Sequence, residues 1–210
     1  MPVGPQSLWE EPTRKSASMA ATSIGLWARL WQASTSTQAP TAWAAGITES
    51  GELDLEDFRA QLNERTRLVS LVHISNSLGC CNPLDQVIPA AHAIGACVLV
   101  DACQSLAHKP IDVVALDADF LVGSSHKLCG PTGMGFLWAR ESLLEAMPPF
   151  LGGGEMIQDV FLDHSTWAVL PHKFEAGTPA IGEAVGMGAA IRYLQAVSYT
   201  HLTLPTICSV

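Results

Sequence analysis

The chain has few basic residues: among 210 residues there are 11 Lys and Arg against 20 Asp and Glu, a formal net charge of -9. Nucleic-acid binding needs a clustered basic face, so this composition argues against a nucleic-acid partner. No apolar run approaches the roughly 18 to 20 residues of a membrane-spanning helix. Since 48% of the residues are hydrophobic, a sizeable core is available. We therefore predict a soluble, acidic globular protein that neither binds nucleic acid nor spans a membrane.

Cysteine is too scarce for a disulfide-stabilised protein, with 6 residues in the chain. None of them forms the C-x-x-C pair of a structural zinc site, so no metal is predicted. This usage is typical of a reducing compartment. Cys97 lies inside an apolar run, and we expect it to be a small buried hydrophobic residue.

Composition divides the chain into three segments. Residues 1–45 form an N-terminal segment, and from Pro12 to Thr48 the chain has no Asp or Glu and is rich in Ser, Thr and Ala. Such a stretch is compatible with an organelle transit peptide, or with an irregular or wrongly translated segment. Residues 46–196 have the pattern of an α/β domain. The tail at 197–210 has no charged residue and no clear period, and we expect it to be foreign to the native protein.

Strands and helices alternate in the middle segment. A short helix is predicted with Asp54 as its N-cap and Phe58 on its apolar face. The run at 96–100 is almost wholly apolar, as is typical of a strand buried on both faces of a parallel sheet. A helix from Pro83, kinked at Pro89 and closed by Gly95, precedes it and completes a right-handed βαβ unit. The other predicted elements are strands at 67–73, 119–123 and 134–138 and a helix at 180–196.

Chemically active residues follow three of the predicted strands. Asp101 comes directly after the strand at 96–100, and Gln104 follows one turn later. Because ligands bind at the carboxyl ends of parallel strands, we expect these side chains to share one edge of the sheet. The same edge should carry His73 and Asn76 after the first strand, and Ser124, Ser125, His126 and Lys127 after the third.

A lysine amine beside anion-binding hydroxyls could form a Schiff base with a phosphorylated aldehyde. A nearby carboxylate could hold the protonated nitrogen of a pyridine ring. Other interpretations remain open, because an aspartate after a strand is most often a turn residue or an N-cap. The run Gly152 to Gly154 lacks the ending of a phosphate-binding P-loop and is predicted to be a flexible turn. His164 and His172 have no metal-ligand spacing and are predicted to lie on the surface.

Five strings of this sequence resemble the class V aminotransferase family: HISNSLG, VLVDACQS, DFLVGSSHKLCGPTG, MPPFLGGGEMI and FEAGTPAIGEA. Within that family they are similar to the group II, SufS-like and plastid-type, cysteine desulfurases. The resemblance covers roughly residues 46–196. It implies an α/β fold, that of the pyridoxal-phosphate-dependent transferases of fold type I, here as a partial large domain with a mostly parallel sheet flanked by helices.

The resemblance also implies a role for each matching residue. Lys127 would form the Schiff base with pyridoxal 5'-phosphate (PLP) and move the proton of the substrate α-carbon. Asp101 would pair with the pyridinium nitrogen, and Gln104 would bond the phenolic oxygen. Ser124 and His126 would bind the phosphate, and Asn76 would lie near the ring oxygen and the substrate. Thr178 would bind the phosphate of the partner subunit's cofactor in a homodimer.

The activity implied by this resemblance is that of an enzyme of sulfur metabolism, a transferase of sulfur-containing groups. It converts L-cysteine to L-alanine and leaves a persulfide for iron–sulfur cluster assembly, with an acceptor protein of the SufE type, in the chloroplast. The family's stacking histidine and its catalytic-cysteine string are not found, so we expect a fragment that lacks the C-terminal catalytic region. Two alternatives stay open: a selenocysteine lyase acting on L-selenocysteine, and a non-catalytic truncated chain or dimer partner.

Overall fold

A computed structural model describes residues 44–197 of the chain. The segments predicted at 1–45 and 197–210 lie almost wholly outside these residues, and so does Cys208. Their assignments therefore stay predictions. Within 44–197, no helix is both long and apolar enough to cross a membrane.

Four strands form one sheet in the order β1-β2-β3-β4, so neighbours in space are also neighbours in the chain. The first three strands run parallel, whereas β4 runs antiparallel to β3. This arrangement confirms the predicted mostly parallel sheet. The strands are β1 (Leu68–Val72), β2 (Cys97–Asp101), β3 (Phe120–Ser124) and β4 (Gly135–Ala139), and a separate antiparallel hairpin consists of β5 (Ile157–Val160) and β6 (Ser165–Trp167).

Helices connect and cover the strands, and local sequence explains where several of them begin. Asp54 accepts hydrogen bonds from the backbone N–H groups of Glu56 and Asp57, both at 3.0 Å, and is the predicted N-cap. Asp112 caps the third helix in the same way. The helices are α1 (Leu55–Gln61), α2 (Leu84–His92), α3 (Val113–Leu116), α4 (Glu141–Ala146) and α5 (Ile181–Ala196), with 3₁₀ turns η1 (Ser125–Leu128) and η2 (His172–Phe174).

The helix α2 confirms its predicted position with slightly shorter bounds. Pro83 stands at the N-cap, and the helix continues across Pro89. It ends at His92, and Gly95 follows with a φ of +76° that an L side chain rarely adopts. The N–H of Gly95 donates to the carbonyl of His92 at 2.9 Å. The kink at Pro89 stays a prediction.

Side chains of the sheet alternate between two apolar layers. Val98 and Val100 of β2 pack on one face with residues of α2 and α5. Leu99 packs on the other face with Leu144 of α4 and Phe174 of η2. Cys97 was expected to be buried, and this prediction is wrong: its side chain is half-buried because it begins β2, at the end of this second layer.

A charged cluster ties together the amino ends of β2 and β3. The Asp119 carboxylate is buried and accepts the backbone N–H of Val98 at 2.7 Å. It also lies 2.9 Å from His92 Nε2 and accepts Arg140 Nε at 2.9 Å. Arg140 bonds the exposed carboxylate of Asp117 as well. Because this cluster lies at the amino ends of the strands, it is remote from the predicted site edge.

A buried lysine holds α4, a helix that the sequence patterns did not predict. Lys173 Nζ donates to the carbonyl oxygens of Leu144 at 3.1 Å and Glu145 at 3.0 Å. These carbonyls belong to the last turn of α4, where helix geometry leaves them without partners in the helix. The lysine ammonium also lies 5.3 Å from the centre of the Phe174 ring. The helix α4 is thus stabilised by a residue that comes much later in the chain.

Candidate functional site

The three parallel strands end at one edge of the sheet, as the sequence predicted. The N–H of His73, just after β1, donates to the carbonyl of Asp101 at 2.8 Å. In turn the N–H of Ala102, just after β2, donates to the carbonyl of Val122 at 3.0 Å. Asp101 is paired with Val122, and Ser124 stands two residues further along β3. Since alternate residues share a face, the side chains of Asp101 and Ser124 lie on the same side of the sheet.

The half-buried carboxylate of Asp101 is oriented by the turn that follows it. Its Oδ1 accepts the backbone N–H of Cys103 at 2.9 Å. Burial, then the hydrogen bond and negative charge of Asp101, raise the pKa of the Cys103 thiol to about 12, and the charge of Lys127 opposes them. The carboxylate and the lysine ammonium are therefore each within electrostatic reach of the Cys103 thiol. Sequence analysis gave Cys103 no role, although its place two residues after an aspartate is typical of an Asx turn.

Lys127 lies in η1, directly after β3, and its side chain is half-buried. Among residues 44–197 no side chain or carbonyl forms a hydrogen bond or an ion pair with its ammonium group. The backbone of its turn is held by two bonds, from Ser125 N–H to Met134 O and from Gly130 N–H to Ser125 O, both at 3.0 Å. An amine that is carried on a well-held turn and left without a partner is suited to covalent bonding.

A hydroxyl and an imidazole stand beside this lysine. Ser124 Oγ and His126 Nδ1 are 2.8 Å apart, and either atom can be the donor. The buried Oγ of Ser125 has no hydrogen-bond partner among the described residues. It lies against Gly130, where a Cβ would collide with it. A glycine at this position is therefore required for the tight turn that carries Lys127.

The other three predicted site residues make few hydrogen bonds or none among the described residues. Gln104 is half-buried, and its amide forms no hydrogen bond within the part of the chain that the structure describes. Asn76 is exposed and accepts only the hydroxyl of Ser77 at 3.4 Å. Thr178 is exposed, and no hydrogen bond joins it to the other predicted site residues. The structure thus places Asp101 beside Cys103, and Lys127 beside Ser124 and His126.

The loop before Thr178 packs closely on the glycine run at 152–154. Gly177 has a φ of +84°, and its N–H donates to the carbonyl of Gly154 at 3.0 Å. A Cβ on Gly153 would lie 3.1 Å from the nitrogen of Gly177. The run belongs to no helix or strand, so it is a loop as predicted. It serves as a surface against which the Thr178 segment rests.

The histidines differ from one another in their surroundings. His73 is at the predicted edge, but alternation along β1 places its side chain on the face opposite to Asp101. Its Nδ1 is buried without a partner among the described residues, and burial, followed by the charge of Lys109, lowers its pKa. His164 and His172 are exposed, as predicted. Residues 44–197 contain no group of three His, Cys, Asp or Glu side chains able to hold a metal ion.

The residues at the edge fit a phosphorylated pyridine aldehyde. The amine of Lys127 has no competing partner, and the half-buried carboxylate of Asp101 can hold a proton on a ring nitrogen. The Ser124–His126 pair offers donors to a phosphate, and the unpaired amide of Gln104 can donate to a ring oxygen. The chemistry of this donor set is that expected for PLP.

A mixed sheet with flanking helices and a lysine at its carboxyl edge defines a PLP-dependent protein of fold type I, present here as a partial domain. Residues 5–203 match the family described as Aminotransferase class-V. The chain belongs to this family of PLP-dependent enzymes.

Two relatives illustrate the similarity in sequence. A "Probable cysteine desulfurase" of Synechocystis is 60% identical over 148 residues, covering 70% of this chain and 35% of the relative. A "Probable cysteine desulfurase" of Streptomyces coelicolor is 52% identical over 152 residues, covering 72% of this chain and 36% of the relative. The chain thus spans little more than a third of the length of these relatives.

Solved structures show the same relationship. The crystal structure of the cysteine desulfurase CsdA from Escherichia coli has a TM-score of 0.70 and 39% identity, covering 73% of this chain and 38% of that one. The apo structure of a cysteine desulfurase from Thermococcus onnurineus has a TM-score of 0.69 and 39% identity, covering 76% of this chain and 40% of that one.

Proposed function

We propose that this chain is the cofactor-binding part of a PLP-dependent cysteine desulfurase. The observation that carries the proposal is the unpaired, half-buried amine of Lys127 at the carboxyl edge of the sheet, where both it and the Asp101 carboxylate act on the Cys103 thiol. Relatives that are 44% to 60% identical carry the name cysteine desulfurase or probable cysteine desulfurase, which favours L-cysteine as the substrate. The name describes those proteins, which are much longer than the matched region.

When it is bound, PLP supplies an electrophilic aldehyde carbon and a ring that accepts the electrons of a substrate carbanion. Lys127 would hold the cofactor covalently through Nζ, and as a free amine it would take the proton from the α-carbon of L-cysteine. The hydrogen-bonded turn η1 positions the backbone of this lysine for both roles.

The other residues hold and orient the cofactor. Asp101 would keep a proton on the ring nitrogen, and the backbone N–H of Cys103 fixes the direction of its carboxylate. Gln104 would donate a hydrogen bond to the phenolic oxygen. Ser124 and His126 would bind the phosphate, Asn76 would contact the ring oxygen and the substrate, and Thr178 would bind the phosphate of the partner subunit's cofactor.

The proposal extends to the whole enzyme. It would convert L-cysteine to L-alanine, leave the sulfur as a persulfide for iron–sulfur cluster assembly and pass it to an acceptor of the SufE type. It would be a homodimer of the SufS-like group, located in the chloroplast. The sequence motifs quoted above support this extension, together with the acid-poor N-terminal stretch for the location.

Covalent capture of the cofactor tests the proposal. The full 210-residue chain is incubated with PLP and reduced with borohydride, which turns a Schiff base into a stable adduct that mass spectrometry can locate. We expect the adduct on Lys127. Lys127→Ala and Lys127→Arg should both abolish it, whereas Lys109→Ala serves as the control and should retain it. An undiminished adduct in the two Lys127 variants, or its absence from the wild type, would refute the proposal.

A further inference from the structure

A second pair of reactive side chains stands near the carboxyl edge, on the loop after β1 and the turn after β2. The Nζ atom of Lys109 lies 3.7 Å from Sγ of Cys81, and both residues are exposed. The loop is held by a bridge between Ile74 and Cys81 and by the N–H of Asn82, which donates to the carbonyl of His73 at 2.9 Å. The thiol is therefore fixed in position, accessible and next to a cation.

The other described thiols lack this combination. Cys97 and Cys103 are half-buried, and burial is the main cause that raises the pKa of each. Cys80 is half-buried and donates through Sγ to the carbonyl of Gly51 at 3.2 Å. Cys129 is exposed, but no cation lies within hydrogen-bond distance of its sulfur among residues 44–197. Cys129 is therefore a natural control for Cys81.

The lysine has two effects on this cysteine. An ammonium 3.7 Å from the sulfur can donate to it, and such a donor stabilises the negative charge on the sulfur while it attacks an electrophile. The ammonium also offers a local positive charge in a chain whose formal net charge is -9, where an anionic reagent would otherwise be repelled. The charge of Lys109 extends to His73, whose pKa it helps to lower after burial.

We propose that Cys81 is a site of thiol–disulfide exchange with small disulfides that carry carboxylates, of the glutathione type, and that Lys109 activates it. The Cys81 thiolate attacks one sulfur of the small disulfide. A new bond joins that sulfur to Sγ, the original disulfide bond breaks, and the departing thiolate takes a proton from water. Cys81 is oxidised and half of the reagent is reduced, so electrons balance without another oxidant. An excess of small thiol reverses the reaction.

The test uses the full chain with Cys208→Ser in every variant, because Cys208 lies outside the described residues. Each variant is treated with oxidised glutathione, and peptide fragmentation measures the rate of mixed-disulfide formation at each cysteine. We expect Cys81 to react before Cys129. Lys109→Gln should slow Cys81 by about fivefold, the effect of an exposed ion pair worth about 1 kcal/mol. Lys109→Arg should retain the rate.

Two further measurements separate charge from packing. A neutral reagent, 2-hydroxyethyl disulfide, should lose less rate in Lys109→Gln, since only the anionic reagent is also attracted by the ammonium. The rate at Cys129 should be the same in every Lys109 variant. Equal rates at Cys81 and Cys129, or an unchanged Cys81 rate in Lys109→Gln, would overturn the proposal. The test needs no cofactor, so its failure and that of the proposed desulfurase are independent.

Discussion

Cys103 and Asp101 are joined through the backbone: the N–H of Cys103 donates a 2.9 Å hydrogen bond to Oδ1 of the aspartate two residues earlier. The same carboxylate disfavours the thiolate of Cys103, whose pKa burial and Asp101 together raise to about 12. A residue next to the proposed cofactor site is thus kept as a neutral thiol. Its thiol reports directly on the charge of Asp101.

Replacing Asp101 should make Cys103 more reactive. In Asp101→Asn the negative charge that raises the thiol pKa is removed, so a larger fraction is thiolate and alkylation by iodoacetamide at pH 8 should accelerate. Burial still applies, so Cys103 should remain slower than exposed Cys129. Residue-resolved mass spectrometry measures both rates. A Cys103 rate that is unchanged, or slower, in the variant would contradict the assigned contact.

The Cys103 thiol also predicts an alkaline loss of stability. Its pKa rises from 9.0 to about 12 on folding, so its contribution is fully present below pH 9 and is lost as the pH rises towards 12. Urea unfolding at pH 8 and at pH 10.5 measures the loss of free energy. We expect Cys103→Ala to show a smaller loss between these pH values than the wild type. If both proteins lose the same free energy of unfolding between these pH values, groups other than Cys103 cause the alkaline loss of stability.

Asp119→Asn should destabilise the fold strongly. The buried carboxylate accepts Val98 N–H and Arg140 Nε and lies against His92, and an amide cannot satisfy all three. We expect the free energy of unfolding to fall by about 2 to 3 kcal/mol. Asp117→Asn is the matched control, because the Asp117 carboxylate is exposed and its loss should destabilise the fold much less. Urea titration at neutral pH compares the two, and similar losses would disprove the central role of Asp119.

Lys173→Met should loosen the end of α4. The variant retains the apolar stem but leaves the carbonyls of Leu144 and Glu145 without their donor, at a cost of about 1 to 3 kcal/mol. Lys173→Arg preserves a donor and should lose less. Thermal unfolding measures the stability, and hydrogen exchange at residues 141–147 locates the change. Unaltered exchange there would exclude the capping role.

Gly123→Ala should overpack the middle of the sheet. A Cβ at this position would lie 2.6 Å from Cζ of Phe136 and 2.7 Å from Cδ1 of Leu106. Both side chains would have to move, so we expect a loss of about 1 to 3 kcal/mol. Gly152→Ala meets no atom within 4 Å and should change stability by less than about 0.5 kcal/mol. If denaturant midpoints show the two variants to be equally stable, the packing at Gly123 is looser than described.

Sequence patterns predicted the strands and helices that are determined by residues close together in the chain. The apolar run around Val98 and the small-residue period of α5 correctly indicated a strand and a helix. Asp101 and Lys127 were found because residues after parallel strands share one edge. The helix α5 packs closely at Gly186, where a Cβ would lie 3.0 Å from Cγ of Pro131.

Long-range causes explain what the sequence patterns missed. The helix α4 has six residues and depends on Lys173, so its own sequence carries little signal. The apolar run of β4 looks the same whichever way the strand runs, and only its pairing with β3 makes it antiparallel. The register of β1 against β2 decides on which face of the sheet the His73 side chain lies. A shift of one residue in that register would place the side chain on the other face.

The order of the strands has a consequence for how the chain folds. Within residues 44–197 each of the four strands pairs with the next one in sequence, so none of these four has to be inserted between two others already in place. The sheet can therefore grow in one direction while the chain emerges from the ribosome, with short closures at each step. Of these four strands β4 joins last, and its pairing of Gly135 with Ser124 closes the turn that carries Lys127. The lysine therefore acquires its position only when β4 has paired with β3.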